Sequence, residues 1–222
     1  MLAAGLVKNS FVDYPGCIAA VVFTPGCNMD CWYCHNKHLW KGENLIQLGE
    51  VCRFLETHKD FLDGVVISGG EPTLQKGLEG FIETVKNMGY LIKLDTNGTN
   101  PGILQKLMPL LDYVAMDIKA PPGGLGKVVS YAMGETPVWA SADMLISGKG
   151  DYEFRTTFMP LLDIADIESI AQRIKGAKRY ALQQYRKTKA VKLAPEPHSK
   201  DTLSEAAKAA QKYVKEVIVR GI

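Results

Sequence analysis

Apolar, β-branched stretches of strand length alternate with amphipathic stretches of helix length along this 222-residue chain. The first of the apolar stretches, residues 18–24, reads Ile-Ala-Ala-Val-Val-Phe-Thr, which is typical of a strand that is covered on both faces. Strands that alternate with helices in this way predict a parallel sheet with the helices outside it. The chain is therefore expected to adopt an α/β fold.

The pattern predicts six β/α units in chain order. The predicted strands are 18–24, 65–68, 91–95, 112–119, 154–159 and 180–185, with a short last strand at 217–219. The predicted helices are 45–58, 78–88, 101–110, 137–146, 164–175 and 201–215. A closed barrel of eight such units takes about 250 residues, so this chain is expected to form a partial (β/α)6 TIM-like barrel. No repeat or linker interrupts the pattern, and residues 1–222 are expected to form a single domain.

Composition excludes some classes of function. Hydrophobic residues make up 46% and charged residues 23%, as in an ordinary globular chain. The net charge of +2 gives no basis for nucleic-acid binding. We see no apolar run of membrane-spanning length and no basic n-region of a signal peptide, so we expect no membrane partner and a cytoplasmic location. Five cysteines, three of them clustered, fit a reducing compartment better than a disulfide scaffold.

Three cysteines fall within eight residues directly after the first predicted strand. Cys27, Cys31 and Cys34 have the spacing C-x3-C-x2-C, and thiolates this close in sequence can converge on one metal centre. A structural zinc site takes four ligands, and here His35 or His38 could supply the fourth. An ordinary iron–sulfur cluster takes four thiolates, so three cysteines would leave one iron of a four-iron cluster open to another ligand.

A second motif, Gly69-Gly70-Glu71-Pro72, follows the second predicted strand. Glycines allow the backbone to approach a ligand closely, and the proline stiffens the turn. Glu71 could anchor the loop or bind an ammonium group. An ordinary turn between a strand and a helix also favours glycine and proline. The motif indicates a functional loop only because it follows the cysteine motif along the chain.

The two motifs together resemble those of the radical S-adenosylmethionine (SAM) enzymes. The resemblance implies that the three cysteines hold a [4Fe-4S] cluster whose open iron chelates SAM. Tyr33, one residue before the last cysteine, takes the position where that family usually has an aromatic residue. Gly69, Gly70 and Glu71 correspond to the segment that binds the methionine amino group. The implied chemistry is homolysis of SAM to methionine and a 5′-deoxyadenosyl radical.

A further set of polar residues lies at the carboxyl ends of the third and fourth predicted strands, where parallel β/α folds carry their sites. Oxygens of Asp95, Thr96 and Asp117 suit a hard cation, and Lys119 suits a carboxylate. Alternation predicts that Asp117 and Lys119 share one face of a strand, where they could also form a simple ion pair. Their resemblance to glycyl-radical activating enzymes implies a monovalent cation near SAM, with Asp117 and Lys119 contacting SAM.

Two residues further along the chain have weaker matches in the same enzymes. Arg155 matches the arginine of an Arg-x4-Pro stretch, which implies contact with SAM or with the partner; a surface arginine is the alternative. His198 matches a late histidine that reaches the ribose of SAM, and a purely structural histidine is the alternative. Gln184, at the end of the sixth predicted strand, could face the pocket.

The stretch Ser10-Phe11-Val12-Asp13-Tyr14-Pro15-Gly16, followed by Gly26-Cys27-Asn28, resembles the start of anaerobic ribonucleoside-triphosphate reductase activating proteins. That resemblance implies that the enzyme generates a glycyl radical on a partner reductase, with a flavodoxin or ferredoxin as the electron donor. The rivals are a radical SAM enzyme acting on a small molecule, an activating enzyme for a different glycyl-radical enzyme, and a zinc-binding interaction module.

Overall fold

A computed structural model describes residues 1–42, 44–187 and 195–221. Its strands are β1 (Leu2–Ala3), β2 (Gly5–Ser10), β3 (Ala19–Thr24), β4 (Asp30–Cys31), β5 (Ile46–Gln47), β6 (Gly64–Gly69), β7 (Leu91–Thr96), β8 (Tyr113–Asp117), β9 (Val129–Ser130), β10 (Asp151–Phe158), β11 (Arg179–Gln184) and β12 (Glu216–Arg220). Its helices are α1 (Leu48–Thr57), α2 (Leu78–Asn87), α3 (Pro101–Leu107), α4 (Leu125–Val128), α5 (Thr136–Ser147), α6 (Ile164–Arg173) and α7 (Lys200–Ala210). Short 3-10 turns lie at Lys37–Leu39, Pro72–Leu74 and Met108–Leu110.

The chain divides into two compact units. The first comprises Met1–Asn28, Asn36–Thr96 and Gly102–Val114. The second comprises Met29–His35, Asn97–Pro101 and Ala115–Ile222. The single domain expected from the sequence stays a prediction.

In the first unit the strand order runs β2, β3, β6, β7 and then the first residues of β8. β2 is antiparallel to β3, whereas β3, β6 and β7 are mutually parallel, with Val22 opposite Ile67 and Ile67 opposite Leu94. These strands are apolar because both faces are covered. The buried side chains of this unit include Val21, Val22, Val65, Val66, Ile67, Ile92 and Leu94 from the strands and Val51, Leu55, Phe81, Ile82 and Val85 from α1 and α2.

In the second unit the order runs from the end of β8 through β10 and β11 to β12. β10, β11 and β12 are parallel, with Thr156 opposite Leu182 and Leu182 opposite Val219. Helix α7 packs against α6, β11 and β12. A separate two-stranded ladder joins β4 to β9, which sets Cys31 opposite Val129.

The predicted alternation of parallel strands and helices is confirmed, since α1, α2, α3, α5, α6 and α7 each follow one of the six predicted strands. The sequence failed to predict β2, because Lys8 and Asn9 interrupt its apolar pattern. Helix α1 begins at Leu48 rather than 45, since Ile46–Gln47 pairs with β1. Helix α7 ends at Ala210, short of the predicted 215.

The predicted strand 112–119 is too long. β8 ends at Asp117, so Asp117 and Lys119 do not share one strand. Ile118 is nevertheless held firmly by β10, because its N–H donates to the carbonyl oxygen of Arg155 at 2.8 Å. The carbonyl oxygen of Ile118 accepts from Thr156 Oγ1 at 2.6 Å, and Thr156 Oγ1 in turn accepts from the Tyr180 hydroxyl at 2.9 Å. This buried chain of hydrogen bonds fixes the segment that follows β8.

An ion pair with a buried carboxylate ties the last strand of the order to β10. The carboxylate of Glu153, which is 1% exposed, accepts from both terminal guanidinium nitrogens of Arg220, at 2.8 and 2.6 Å. A paired, two-point contact of this kind is the arrangement in which a buried carboxylate is tolerated. It fixes the register of β12, since Arg220 also lies opposite Gln183 of β11.

Within the described ranges, none of the helices combines the length and the apolar character that crossing a bilayer requires.

The hydrogen bonds around Thr156 predict that two variants lose different amounts of folding stability. Tyr180→Phe removes one buried hydrogen bond and should cost about 1 kcal/mol. Thr156→Val keeps the side-chain shape but leaves both the Ile118 carbonyl and the Tyr180 hydroxyl without their partner, which should cost about 3 kcal/mol. Urea unfolding of both variants measures the difference; equal losses would show that Thr156 does not connect the two groups.

Candidate active site

The cysteine motif begins in the first unit and ends in the second. Cys27 follows β3 in the first unit, whereas Cys31 and Cys34 belong to the second. Cys31, 6% exposed, is held by the β4–β9 ladder. A turn joins it to Cys34, whose N–H donates to the carbonyl oxygen of Cys31 at 3.1 Å. None of the five cysteines forms a disulfide.

The Gly69–Glu71 loop lies directly on the start of the cysteine motif. The N–H of Gly70 donates to the carbonyl oxygen of Thr24, and the N–H of Glu71 to that of Gly26, both at 2.9 Å. A Cβ atom at position 70 would lie 1.7 Å from the Gly26 oxygen and 3.3 Å from the nitrogen of Cys27. Gly69 has a φ of 109°, and a Cβ there would meet the nitrogen of Thr24 at 2.4 Å. Only glycine fits either position.

Glu71 anchors this loop from inside. Its side chain is fully buried, and Oε1 accepts from the N–H of Thr73 at 3.1 Å and from Thr73 Oγ1 at 2.6 Å. The hydroxyl of Thr96, at the end of β7, donates to the same oxygen at 2.7 Å. Of the two roles that the sequence suggested for Glu71, the structure shows the anchoring one.

Asp95, beside Thr96, has a partner at each carboxylate oxygen. Oδ1 lies 2.5 Å from the ammonium nitrogen of Lys93, and Oδ2 accepts from the Ser68 hydroxyl at 2.9 Å. Sequence reasoning missed both Lys93 and Ser68. The available signal was a lysine in the middle of an apolar strand, two residues before a candidate site aspartate.

A compact charged cluster lies in the second unit. The carboxylate of Asp117 accepts from Arg155 Nε at 2.8 Å and from Lys119 Nζ at 3.2 Å. The structure thus brings Arg155 together with Asp117 and Lys119, which the sequence had placed on a different predicted strand. It also shows the simple ion pair between Asp117 and Lys119, although Lys119 lies beyond the strand.

The charges of this cluster stabilise each other. Burial alone would raise the pKa of Asp117, but Arg155 and then Lys119 outweigh burial and lower that pKa to about 2. Burial alone would lower the pKa of Lys119, but the Asp117 carboxylate, with Tyr33 and Cys31 adding to it, holds that pKa well above its usual value. At neutral pH the cluster is therefore a carboxylate between two cations.

Tyr33 lies near this cluster and is 6% exposed. Burial raises its pKa far above the usual value, more than the Lys119 charge lowers it, so the phenol stays neutral. Its ring packs edge-on against Trp32, with ring centroids 5.5 Å apart. Trp32 also packs against Tyr185 just past β11, at 5.6 Å.

His198 has structural partners of its own. Its ring stacks on Phe158 at a centroid distance of 4.1 Å. Its Nε2 atom lies 2.8 Å from the carbonyl oxygen of Leu162 and 3.2 Å from that of Met159. Both acceptors are carbonyls, so Nε2 carries the hydrogen. Gln184 donates to the backbone oxygen of His198 at 2.6 Å, which fixes the segment.

Each unit therefore collects its own predicted residues: Gly69, Gly70, Glu71, Asp95 and Thr96 with Cys27 in the first, and Tyr33, Asp117, Lys119, Arg155 and His198 with Cys31 and Cys34 in the second. Across residues 1–42, 44–187 and 195–221, no three cysteine, histidine, aspartate or glutamate side chains are grouped as a metal ion would require. Convergence of the three cysteines stays a prediction.

Comparison with known proteins identifies the family. The model of the Radical SAM superfamily matches residues 21–174, more than half of the chain. A protein of Methanocaldococcus jannaschii, provisionally named a glycyl-radical enzyme activating enzyme, is 37% identical over 236 residues, covering 100% of this chain and 96% of that protein. The pyruvate formate-lyase-activating enzyme of Streptococcus mutans is 31% identical over 205 residues, covering 82% of this chain and 77% of that enzyme.

A solved structure confirms the predicted fold class. The crystal structure of Streptococcus suis SuiB bound to S-adenosylmethionine matches 90% of this chain with a TM-score of 0.71 at 12% identity. The chain spans about half the length of SuiB, 52%. The chain therefore belongs to the radical SAM superfamily, as an enzyme of the glycyl-radical enzyme activating family whose cofactors are a [4Fe-4S] cluster and S-adenosylmethionine.

Proposed function

We propose that this enzyme generates a glycyl radical on anaerobic ribonucleoside-triphosphate reductase. Cys27, Cys31 and Cys34 would hold the cluster, which together with SAM would supply the one-electron chemistry needed to remove an α-hydrogen from a glycine of the partner. The protein's own residues hold the cofactors and keep their charges in place. Further parts of the proposal are a flavodoxin or ferredoxin as the reductant and a location in the cytoplasm.

One observation carries this proposal: two motifs more than 40 residues apart in the sequence are joined by backbone hydrogen bonds in the structure. Gly70 and Glu71 donate to the backbone immediately before Cys27. A loop of glycines, packed without side chains against a cysteine loop, lets a ligand approach the backbone closely. That arrangement supports a shared role for the two motifs.

The proposed ligands of the cluster are Cys27, Cys31 and Cys34. Thiolates are the donors that iron–sulfur clusters take, and none of the three cysteines is used in a disulfide. Three thiolates match a cluster that leaves one iron for SAM. Cys17 and Cys52 have no part in the proposal.

The proposed SAM-binding groups lie in both units. Gly69, Gly70 and Glu71 would shape the methionine end of the site in the first unit, next to Asp95 and Thr96. In the second unit, Lys119 and Arg155 are cations already held in place by Asp117, and such cations suit a carboxylate. Tyr33 stays neutral beside them. The imidazole ring of His198, which is held by backbone carbonyl oxygens, would reach the ribose of SAM.

The support for the reductase as partner comes from the stretch 10–16 and from the Gly26–Asn28 segment. The relative from Streptococcus mutans acts, by its name, on pyruvate formate-lyase. Pyruvate formate-lyase therefore serves as the comparison partner. The protein is reconstituted anaerobically, reduced and supplied with SAM. It should then produce a glycyl radical on the reductase and not on pyruvate formate-lyase, and electron paramagnetic resonance detects the radical. A signal on pyruvate formate-lyase alone would make the partner assignment wrong while the chemistry stands.

The cysteine assignment predicts a selective loss. Cys31→Ala should abolish release of 5′-deoxyadenosine and lower the iron bound per chain, because one of three thiolate ligands is missing. Cys52→Ala is the matched control, since Cys52 lies on α1 and should leave both quantities unchanged. Iron and sulfide analysis with chromatography of 5′-deoxyadenosine measures the outcome. Zinc uptake in place of iron, or iron without SAM cleavage, would contradict the proposal.

The close contact at Gly70 predicts the effect of adding one methyl group. Gly70→Ala must displace the loop from the backbone of Gly26, so it should lower SAM cleavage by about tenfold or more, as loss of hydrogen bonds to a charged ligand does. Gly80→Ala is the control, because nothing lies within 4 Å of its added carbon in α2 and it should stabilise the helix by about 0.5–1 kcal/mol. Wild-type kinetics for Gly70→Ala would show that the loop does not position SAM.

A further inference from the structure

Lys93 is a lysine buried in the middle of an apolar strand. It lies between Ile92 and Leu94 of β7, and its side chain is 2% exposed. Lysine is almost never fully buried unless its charge is paired. Alternation along β7 puts Lys93 on the same face as Asp95, and its ammonium nitrogen lies 2.5 Å from Asp95 Oδ1.

In the first unit, each carboxylate oxygen of Asp95 has a partner, and the Lys93 ammonium is the positively charged one. The second oxygen, Oδ2, accepts from the Ser68 hydroxyl at 2.9 Å. The hydroxyl of the neighbouring Thr96 donates to Glu71 at 2.7 Å. A hard metal cation needs several oxygen ligands around it, and here the carboxylate of Asp95 already binds a cation through one oxygen and a hydroxyl through the other.

A contribution to folding stability does not explain why the Lys93–Asp95 pair is buried. Removing an ammonium from water costs several kcal/mol, and replacing a buried ion pair with apolar residues is often neutral or stabilising. The pair lies at the carboxyl end of β7, where sites occur in parallel β/α folds. Through Thr96 it is connected to Glu71 and the loop that packs on the cysteine motif.

We infer that Lys93 is a built-in counter-ion: its ammonium supplies at Asp95 the single positive charge that a monovalent metal cation would otherwise supply. Lys93 is a positioning residue that acts through Asp95, and the enzyme needs neither K⁺ nor Na⁺ there. The inference rests on the proposed function only for its activity readout.

The test removes the ammonium and offers other cations in its place. SAM cleavage is measured for wild type, Lys93→Ala and Lys86→Ala in tetramethylammonium chloride, and again after replacement by KCl, NaCl or methylammonium chloride at the same ionic strength. Lys86 is the matched control, because it pairs with Asp112 at 2.9 Å but is 33% exposed. Wild type and Lys86→Ala should be indifferent to the cation.

Lys93→Ala should lose about tenfold or more in kcat/KM for SAM in tetramethylammonium, and methylammonium or K⁺ should restore most of that loss. A purely structural lysine would not give such a rescue. The double variant Lys93→Ala/Asp95→Asn should show no rescue. A second readout needs no cluster and no SAM: small cations should raise the melting temperature of Lys93→Ala in a saturable way and leave that of wild type unchanged.

Two results would overturn the inference: wild-type activity that depends on K⁺ or Na⁺, or a Lys93→Ala variant that responds to no small cation in either readout. If Lys93→Ala does not fold, Lys93→Met preserves much of the volume, and the wild-type arm still decides. If wild type binds iron but never cleaves SAM, the proposed function fails, whereas the melting-temperature readout still tests Lys93.

Discussion

The absence of a side chain at Gly70 is the constraint on which the first unit depends. The Gly26 oxygen lies 1.7 Å from where a Cβ would be, so the loop after β6 can reach the backbone before Cys27 only as glycine. Two backbone hydrogen bonds then fix the loop. Glu71, carried inward by the same loop, binds Thr96 and so connects the ends of β6 and β7. One close contact thereby sets the relative positions of three strand ends.

Much of this was predictable from the sequence, for physical reasons. Buried parallel strands must be apolar throughout, so stretches such as 18–24 stand out from amphipathic helices. The carboxyl ends of parallel strands meet at one edge, so the motifs that follow β3 and β6 were expected to lie together. The strand β2 was not predicted because Val7, Lys8 and Asn9 are exposed in succession, so its sequence shows neither a continuous apolar run nor an apolar–polar alternation.

What could not be predicted depends on contacts between distant residues. The hydrogen bond from the Ser68 hydroxyl to Asp95 is an example, because it joins two strands whose residues are 27 positions apart in the sequence. The segment after Asp117 was expected to continue the strand, whereas hydrogen bonds from Ile118 to β10 replace regular pairing there. The stretch around Tyr14, interpreted as a mark of the partner, also has a packing role, since Tyr14 is 5% exposed and packs against Tyr113.

The ion pair of Arg220 and Glu153 has a consequence for how the molecule behaves at high concentration. β12 is the last strand of the order, and an edge strand presents backbone groups on which another chain can assemble. Arg220 places a partly exposed charge on this strand, and the buried carboxylate of Glu153 holds its guanidinium. Charged side chains on edge strands disfavour pairing with a second sheet. The contact that fixes the register of β12 therefore also holds in place a charge of the kind that disfavours assembly of another chain on such an edge.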